Sequence, residues 1–127
     1  MTDAAGRRPA EDLERDIAAR TDMYFCRTRQ VVGRYGDRRV TYAIFLRRPV
    51  ISAAGLMLDW LRQVAEARGV ALDIELVYPE GAWVGAGEPL VYITGSMVAL
   101  CDLETLLLQK VGPACVAAHN AYQMALA

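Results

Sequence analysis

Apolar positions along this chain switch several times between a helical and a strand period. Between Ala10 and Arg20 most faces are charged, and Leu13 and Ile17 form the only i,i+4 apolar pair, so the pattern predicts a marginal surface helix at best. The pattern changes at Thr21. Thr21 has N-cap chemistry and Asp22 suits a first turn, while Tyr24, Thr28 and Val31 fall on one face of a helix. Arg27, Arg29 and Arg34 lie opposite, and Gly33 and Gly36 are placed to end it. After a turn at 37–39, Val40, Tyr42, Ile44 and Leu46 alternate with Thr41, Ala43 and Phe45. This predicts a strand with both faces partly covered.

Ser52 is the predicted cap of the most regular helix. Leu56, Trp60 and Val64, flanked by Met57 and Leu61, oppose Asp59, Arg62, Glu66 and Arg68, and Gly69 stands at the C′ position. A second strand follows, with Val70, Leu72, Ile74 and Leu76 inward and Asp73 and Glu75 outward. From Tyr78 to Leu90 the chain is punctuated by Pro79, Gly81, Gly85, Gly87 and Pro89, with Trp83-Val84 and 90–93 as short strands expected to pair across the loop. The stretch 97–111 is apolar on most sides, Gly112-Pro113 is expected to break it, and a last helix takes up 114–127. Ala117, Ala118, Ala121 and Ala125 give that helix a small-residue surface, and the sequence ends within it without a C-cap, as a fragment of a longer polypeptide would. The fold class expected from this order is α+β with a mainly antiparallel sheet.

Composition narrows the function classes. The chain has 127 residues, one domain or part of a longer one, and 54% hydrophobic content that leaves apolar surface for a partner. A net charge of −1 with dispersed arginines gives no electrostatic basis for nucleic-acid or acidic-membrane binding. No apolar run reaches membrane-spanning length and no secretory h-region opens the chain. Cys26, Cys101 and Cys115 are widely spaced without a Cys-x-x-Cys pair, which points to a reducing cytoplasm.

Catalytic motifs are mostly missing. His119 is the only histidine, so a histidine-rich metal site is excluded and no metal ligands are assigned. The glycines match neither a phosphate loop nor a dinucleotide fingerprint, and no nucleophile motif surrounds His119, so no catalytic residue is assigned. Glu80, Glu88 and Glu104 have acid–base chemistry, but acids in exposed turns are ordinary surface residues.

Three blocks nevertheless occur in a familiar order: Thr21-Asp22-x-Tyr24 at a helix start, Glu80-Gly81 through Gly87-Glu88-Pro89-Leu90 to Ile93-Thr94-Gly95, and Leu103-Glu104-Thr105-x-Leu107-Leu108. Together they resemble the N-terminal domain of nicotinate phosphoribosyltransferase, a relative of quinolinate phosphoribosyltransferase, over about residues 21–127. The segment 116–121 is similar to the family's helix leading into its catalytic barrel. The resemblance implies a hammerhead-like α/β sandwich at 21–111, preceded by a flexible or marginally helical tail at 1–20 and followed at 112–127 by the start of a linker helix.

What the resemblance further implies is a share in joining nicotinate to phosphoribosyl pyrophosphate, giving nicotinate mononucleotide for NAD synthesis. Magnesium and ATP belong to the full-length enzyme, with no cofactor held by this chain. The phosphate and metal segments lie in the barrel beyond residue 127, so the chain is expected to be inactive alone. Subunits of such enzymes pair head to tail, and one N-terminal domain closes its partner's pocket. Asp22 and Tyr24 are then substrate-binding, with Tyr24 stacking on the pyridine ring. Arg27 is a candidate for the carboxylate or pyrophosphate, and His119 for a phosphate. Thr105 stands where the quinolinate enzymes carry an arginine for a second carboxylate, and losing a charged hydrogen bond of that kind costs roughly 1.5–3 kcal/mol. Nicotinate is therefore favoured over quinolinate.

A non-catalytic, truncated paralogue serving dimerisation or regulation has the same expected fold. Biotinyl and lipoyl carriers share the turn unit of 80–90, but they need a lysine on an exposed hairpin. The only lysine here is Lys110, within the apolar helical run.

Overall fold

Strand alternation and glycine placement set the frame. The computed structural model describes residues 6–21 and 23–127, with Met23 and Tyr24 described by their backbone. The helices are α1 (Ala10–Arg20), α2 (Met23–Tyr35), α3 (Gly55–Arg68), α4 (Met97–Leu100) and α5 (Glu104–Leu126). The strands are β1 (Arg39–Ile44), β2 (Val50–Ile51), β3 (Asp73–Leu76), β4 (Trp83–Val84) and β5 (Val91–Ser96). β1, β5 and β3 form one sheet in that order and β2 and β4 a second, and every pairing is antiparallel. This is a mixed fold of helices and antiparallel sheets, and among the described residues neither sheet closes into a barrel.

β5 is central because both its edges are paired. Its Val91, Ile93 and Gly95 are buried, while Tyr92, Thr94 and Ser96 are half-buried. The approach of the chain before β3 is close at Gly95, where a Cβ would collide with Leu72 Cδ2. β1 presents Val40, Tyr42 and Ile44 to the helices. Its other face, expected to be partly covered, is open: Thr41, Ala43 and Phe45 are exposed, and Thr41 Oγ1 meets Thr94 Oγ1 at 2.8 Å there. β3 is shorter than the run from Val70 suggested, and Leu76 is exposed.

The helical layer is built on α3 and α5. Met57, Leu58, Trp60, Leu61 and Val64 of α3 share one core with Leu106, Leu107, Val111 and Cys115 of α5. The expected α3 stripe is correct at Trp60 and Val64 but wrong at Leu56, which is 76% exposed. Gly69 ends the helix as expected. It adopts φ 65°, its N–H donates to the Glu66 carbonyl, and the Val70 N–H donates to that of Ala65. Ser52 does not cap α3. Its hydroxyl donates to the Tyr78 carbonyl, and the carboxylate of Glu80 accepts from the Gly55 N–H at 2.7 Å, so the cap comes from the distant turn.

Other expectations are corrected. α1 is not marginal: Leu13 and Ile17 are 1% and 2% exposed within the common core, and burying each stabilises by about 1.5–3 kcal/mol. Thr21 follows α1 rather than capping the next helix, with its hydroxyl on the Ile17 carbonyl and 3.0 Å from that of Asp102. Gly33 lies inside α2, and Gly36, at φ 113°, follows it. Trp83-Val84 pairs with Val50-Ile51 rather than with the strand after the loop, because β1 and β3 already occupy both edges of β5. Gly112-Pro113 does not break α5. An interior proline costs about 3 kcal/mol, and the apolar face continues past it from Val111 to buried Cys115. The alanines beyond Cys115 are exposed or half-buried rather than closely packed.

Candidate functional site

Position in this fold depends on a buried charge cluster at the end of α3. Arg68 and Asp102 have side chains only 10% and 8% exposed. All five guanidinium donors of Arg68 have acceptors. Nη1 donates to Asp102 Oδ1 and the Ala99 carbonyl, and Nη2 to Asp102 Oδ2, each at 2.9 Å. Nε and Nη2 hold the Glu14 carboxylate at 2.7 and 3.0 Å. Arg29 Nη1 reaches Asp102 Oδ2 at 3.0 Å. Burial alone would weaken the charged form of Arg68, but the hydrogen bonds it donates to Glu14 and Asp102 reverse this and push its pKa up. The same hydrogen bond to Arg68 pulls the Glu14 carboxyl below its ordinary range. The two arginines and two acids join α1, α2, α3 and the turn after α4, and so fix the helix that carries Tyr24 and Arg27.

A cleft of about 290 Å³ opens where β1 passes the start of α5, lined by Thr41, Tyr42, Ile44, Glu104, Leu107 and Leu108 among others. Glu104 is the first residue of α5, where a carboxylate complements the helix dipole. Burial, with the Glu104 charge beside it, pushes the Tyr42 hydroxyl up to about 12. Tyr42 therefore stays a neutral donor and acceptor at physiological pH. The cleft lining contains one acid and no cation.

The expected site residues are only partly described. Asp22 lies outside the described residues. Tyr24 is in the first turn of α2, and its side chain also lies outside what is described. Arg27 is exposed on the same helix. Thr105 is half-buried in the first turn of α5, next to the Glu104 cleft. His119 belongs to the same helix but sits about 21 Å further along its axis at 1.5 Å per residue. There it packs on Trp83 with ring centroids 5.4 Å apart. Thr105 and His119 thus serve different places on this chain.

Two other acids have structural work. Glu80 caps α3, and Glu88 accepts from the Tyr78 hydroxyl at 2.6 Å and the Gly85 N–H at 3.1 Å. Lys110 is on α5, with its ammonium 5.2 Å from the centre of the Trp60 ring, and not on a hairpin where a carrier group would be attached. Among the described residues there is no group of three or more His, Cys, Asp or Glu that could hold a metal ion, and no helix long and apolar enough to cross a membrane. Sequence reasoning missed Tyr42, Asp102 and Arg68. Tyr42 could have been found as the one hydroxyl on the inward face of its strand. Nothing in the local pattern singles out the other two.

Comparison with known proteins gives a consistent answer. Residues 22–115 match the sequence family described as quinolinate phosphoribosyl transferase, N-terminal domain. No curated protein matches the chain. Among solved structures, the nicotinate-nucleotide pyrophosphorylase from Francisella tularensis is similar with a TM-score of 0.59 at 17% identity, over 87% of this chain and 39% of that one. The nicotinate-nucleotide pyrophosphorylase from Pyrococcus furiosus has a TM-score of 0.59 at 23% identity, over 77% of this chain and 26% of that one. The chain therefore spans well under half the length of either neighbour, and at these identities the likeness is one of fold. The family match covers most of the sequence: the chain belongs to the quinolinate phosphoribosyltransferase N-terminal domain family.

Proposed function

We propose that this chain is the N-terminal, substrate-pocket and dimerisation portion of a phosphoribosyltransferase of NAD biosynthesis that takes nicotinate rather than quinolinate. Family membership and the two pyrophosphorylase neighbours support the association with pyridine-nucleotide synthesis. The observation that carries the substrate preference is the start of α5. Thr105 follows Glu104 there, and the adjoining cleft has an acid and no cation. A second substrate carboxylate would find no cation at the start of this helix, at a cost of roughly 1.5–3 kcal/mol.

In this reading α2 reaches the pocket of a head-to-tail partner, with Asp22 and Tyr24 leading and Arg27 behind. Tyr24 stacks on the pyridine ring, which adds about 0.5–1.5 kcal/mol beyond area burial. The Arg68–Asp102–Arg29 chain of hydrogen bonds holds that helix in place. Phosphoribosyl pyrophosphate, magnesium and ATP are bound by parts of the enzyme outside this chain. In this reading turnover needs the barrel of the complete enzyme.

The test uses the natural protein that carries this sequence, assayed for nicotinate mononucleotide formation with a Tyr24→Ala variant. The nicotinate KM should rise about fivefold to tenfold, in line with a lost stacking partner, while kcat changes little. An unchanged KM removes Tyr24 from the pocket.

A further inference from the structure

Lysines are mostly solvated, yet the only lysine of this chain, Lys110, is half-buried where α5 packs on α1 and α3. Its ammonium stands 5.2 Å from the centre of the Trp60 ring, and Trp60 itself is 5% exposed. Leu13, Asp16, Ile17 and Arg20 share one face of α1, at the i, i+3, i+4 and i+7 spacing. Leu13 and Ile17 are buried in the core formed with α3 and α5, so that face also brings Asp16 and Arg20 toward Lys110. Asp16 is already engaged, accepting from Arg8 Nη2 at 2.6 Å. Lys110 thus shares its surroundings with two cations and with one acid committed to one of them.

These features favour the neutral amine. Burial lowers the pKa of Lys110 below its ordinary 10.5, the charges of Arg20 and Arg8 lower it further, and Asp16 only partly opposes them. From α3 comes the Trp60 ring, and the turns of α5 from 106 to 114 carry no other charge. A neutral amine is a nucleophile and an ammonium is not. The Trp60 indole N–H is buried and has no acceptor among the described residues. An ammonium has no lone pair to offer it, whereas an amide carbonyl on the same nitrogen has two. The surroundings therefore suit an acylated lysine better than a protonated one.

We propose that Lys110 is a modification site, acylated directly on Nζ by small acyl phosphates. The Nζ lone pair attacks the acyl carbon and a C–N bond forms. The bond from that carbon to the bridging phosphate oxygen breaks, and its electron pair leaves on inorganic phosphate, which also takes the proton lost by the amine. Arg20 and Arg8 attract both the anionic reagent and the departing phosphate. A neutral acyl donor gains nothing from that attraction. The site is separate from α2, Thr105 and His119, and acylation there does not depend on the nicotinate reading.

The natural protein that carries this sequence is incubated with acetyl phosphate or, as the neutral donor, phenyl acetate. Acetylation of Lys110 is followed by peptide mass spectrometry against Nα-acetyl-lysine amide in the same tube. With acetyl phosphate at about pH 7.5, Lys110 should react at least about fivefold faster than the free amine. Its rate should also level off at a lower pH than that of the free amine. Arg20 is exposed, and Arg20→Ala should slow the acetyl phosphate reaction at least about threefold and the phenyl acetate reaction less. A Lys110 rate with acetyl phosphate at or below that of the free amine would overturn the proposal. So would an Arg20→Ala rate equal to that of the unaltered protein, or equal slowing with both donors.

Discussion

Arg68 and Asp102 face each other through two parallel hydrogen bonds of 2.9 Å, in a site where neither side chain is more than 10% exposed. Removing Arg68 leaves the buried Asp102 carboxylate with the Arg29 contact as its remaining ion pair. Arg68→Ala should therefore destabilise the chain by about 3–5 kcal/mol, measured by urea denaturation. Arg68→Lys should recover only part of this, because an ammonium cannot supply the five-donor fork. A loss below about 1 kcal/mol for Arg68→Ala would mean that solvent reaches Asp102 freely.

The same cluster sets an acid sensitivity. Glu14 is held below its ordinary value of 4.5 by the hydrogen bond from Arg68. Between its folded and unfolded pKa the unfolded chain binds more protons, so the stabilisation is fully present above about pH 4.5 and is lost as pH falls through the folded value. Glu14→Gln should flatten the fall in stability between about pH 5 and pH 3. An unaltered pH profile in that window would remove Glu14 from the linkage.

Tyr42 gives a spectroscopic check on the cleft beside α5. Burial, with Glu104 nearby, pushes its hydroxyl up to about 12 from an ordinary value of 10. The Tyr78 hydroxyl is also raised, by its hydrogen bond to Glu88, so the check uses a Tyr78→Phe background. There one tyrosine should ionise near 12 in an alkaline absorbance titration, and adding Tyr42→Phe should remove that step. The sign for stability follows. The contribution is fully present below about pH 10 and is lost as pH rises through the folded value. A late step that persists in Tyr42→Phe would contradict the burial of this ring.

Gly95 tests the packing of the central strand. A Cβ there meets Leu72 Cδ2, so Gly95→Ala should destabilise by about 1–3 kcal/mol through overpacking. The double variant with Leu72→Ala should lose less than the sum of the two single changes. Additive losses in chemical denaturation would show that the methyl is accommodated without touching Leu72.

Much of the frame was legible where a local rule acts alone. The inward alternation of β5 follows from period two, and Gly69 ends α3 because only a left-handed residue closes that turn comfortably. What stayed hidden depends on distant partners. Ser52 looks like a cap until Glu80 arrives to bond the Gly55 N–H. Trp83-Val84 looks like the partner of the next strand until β1 and β3 take both sides of β5. Leu13 and Ile17 look too sparse to hold a helix, yet they dock fully once Glu14 is clamped by Arg68. The candidate site was less legible still. Motifs point to both Thr105 and His119, and the unbroken α5 past Pro113 sets Thr105 in its first turn and His119 in its later turns beside Trp83.

The substrate preference is tested most directly by competition in the natural protein that carries this sequence. Phosphoribosyl transfer to nicotinate and to quinolinate is compared as kcat/KM under identical phosphoribosyl pyrophosphate and magnesium. With Thr105 at the start of α5 and no cation in the adjoining cleft, nicotinate should be preferred by roughly tenfold to a hundredfold. A kcat/KM for quinolinate equal to or above that for nicotinate would contradict the account.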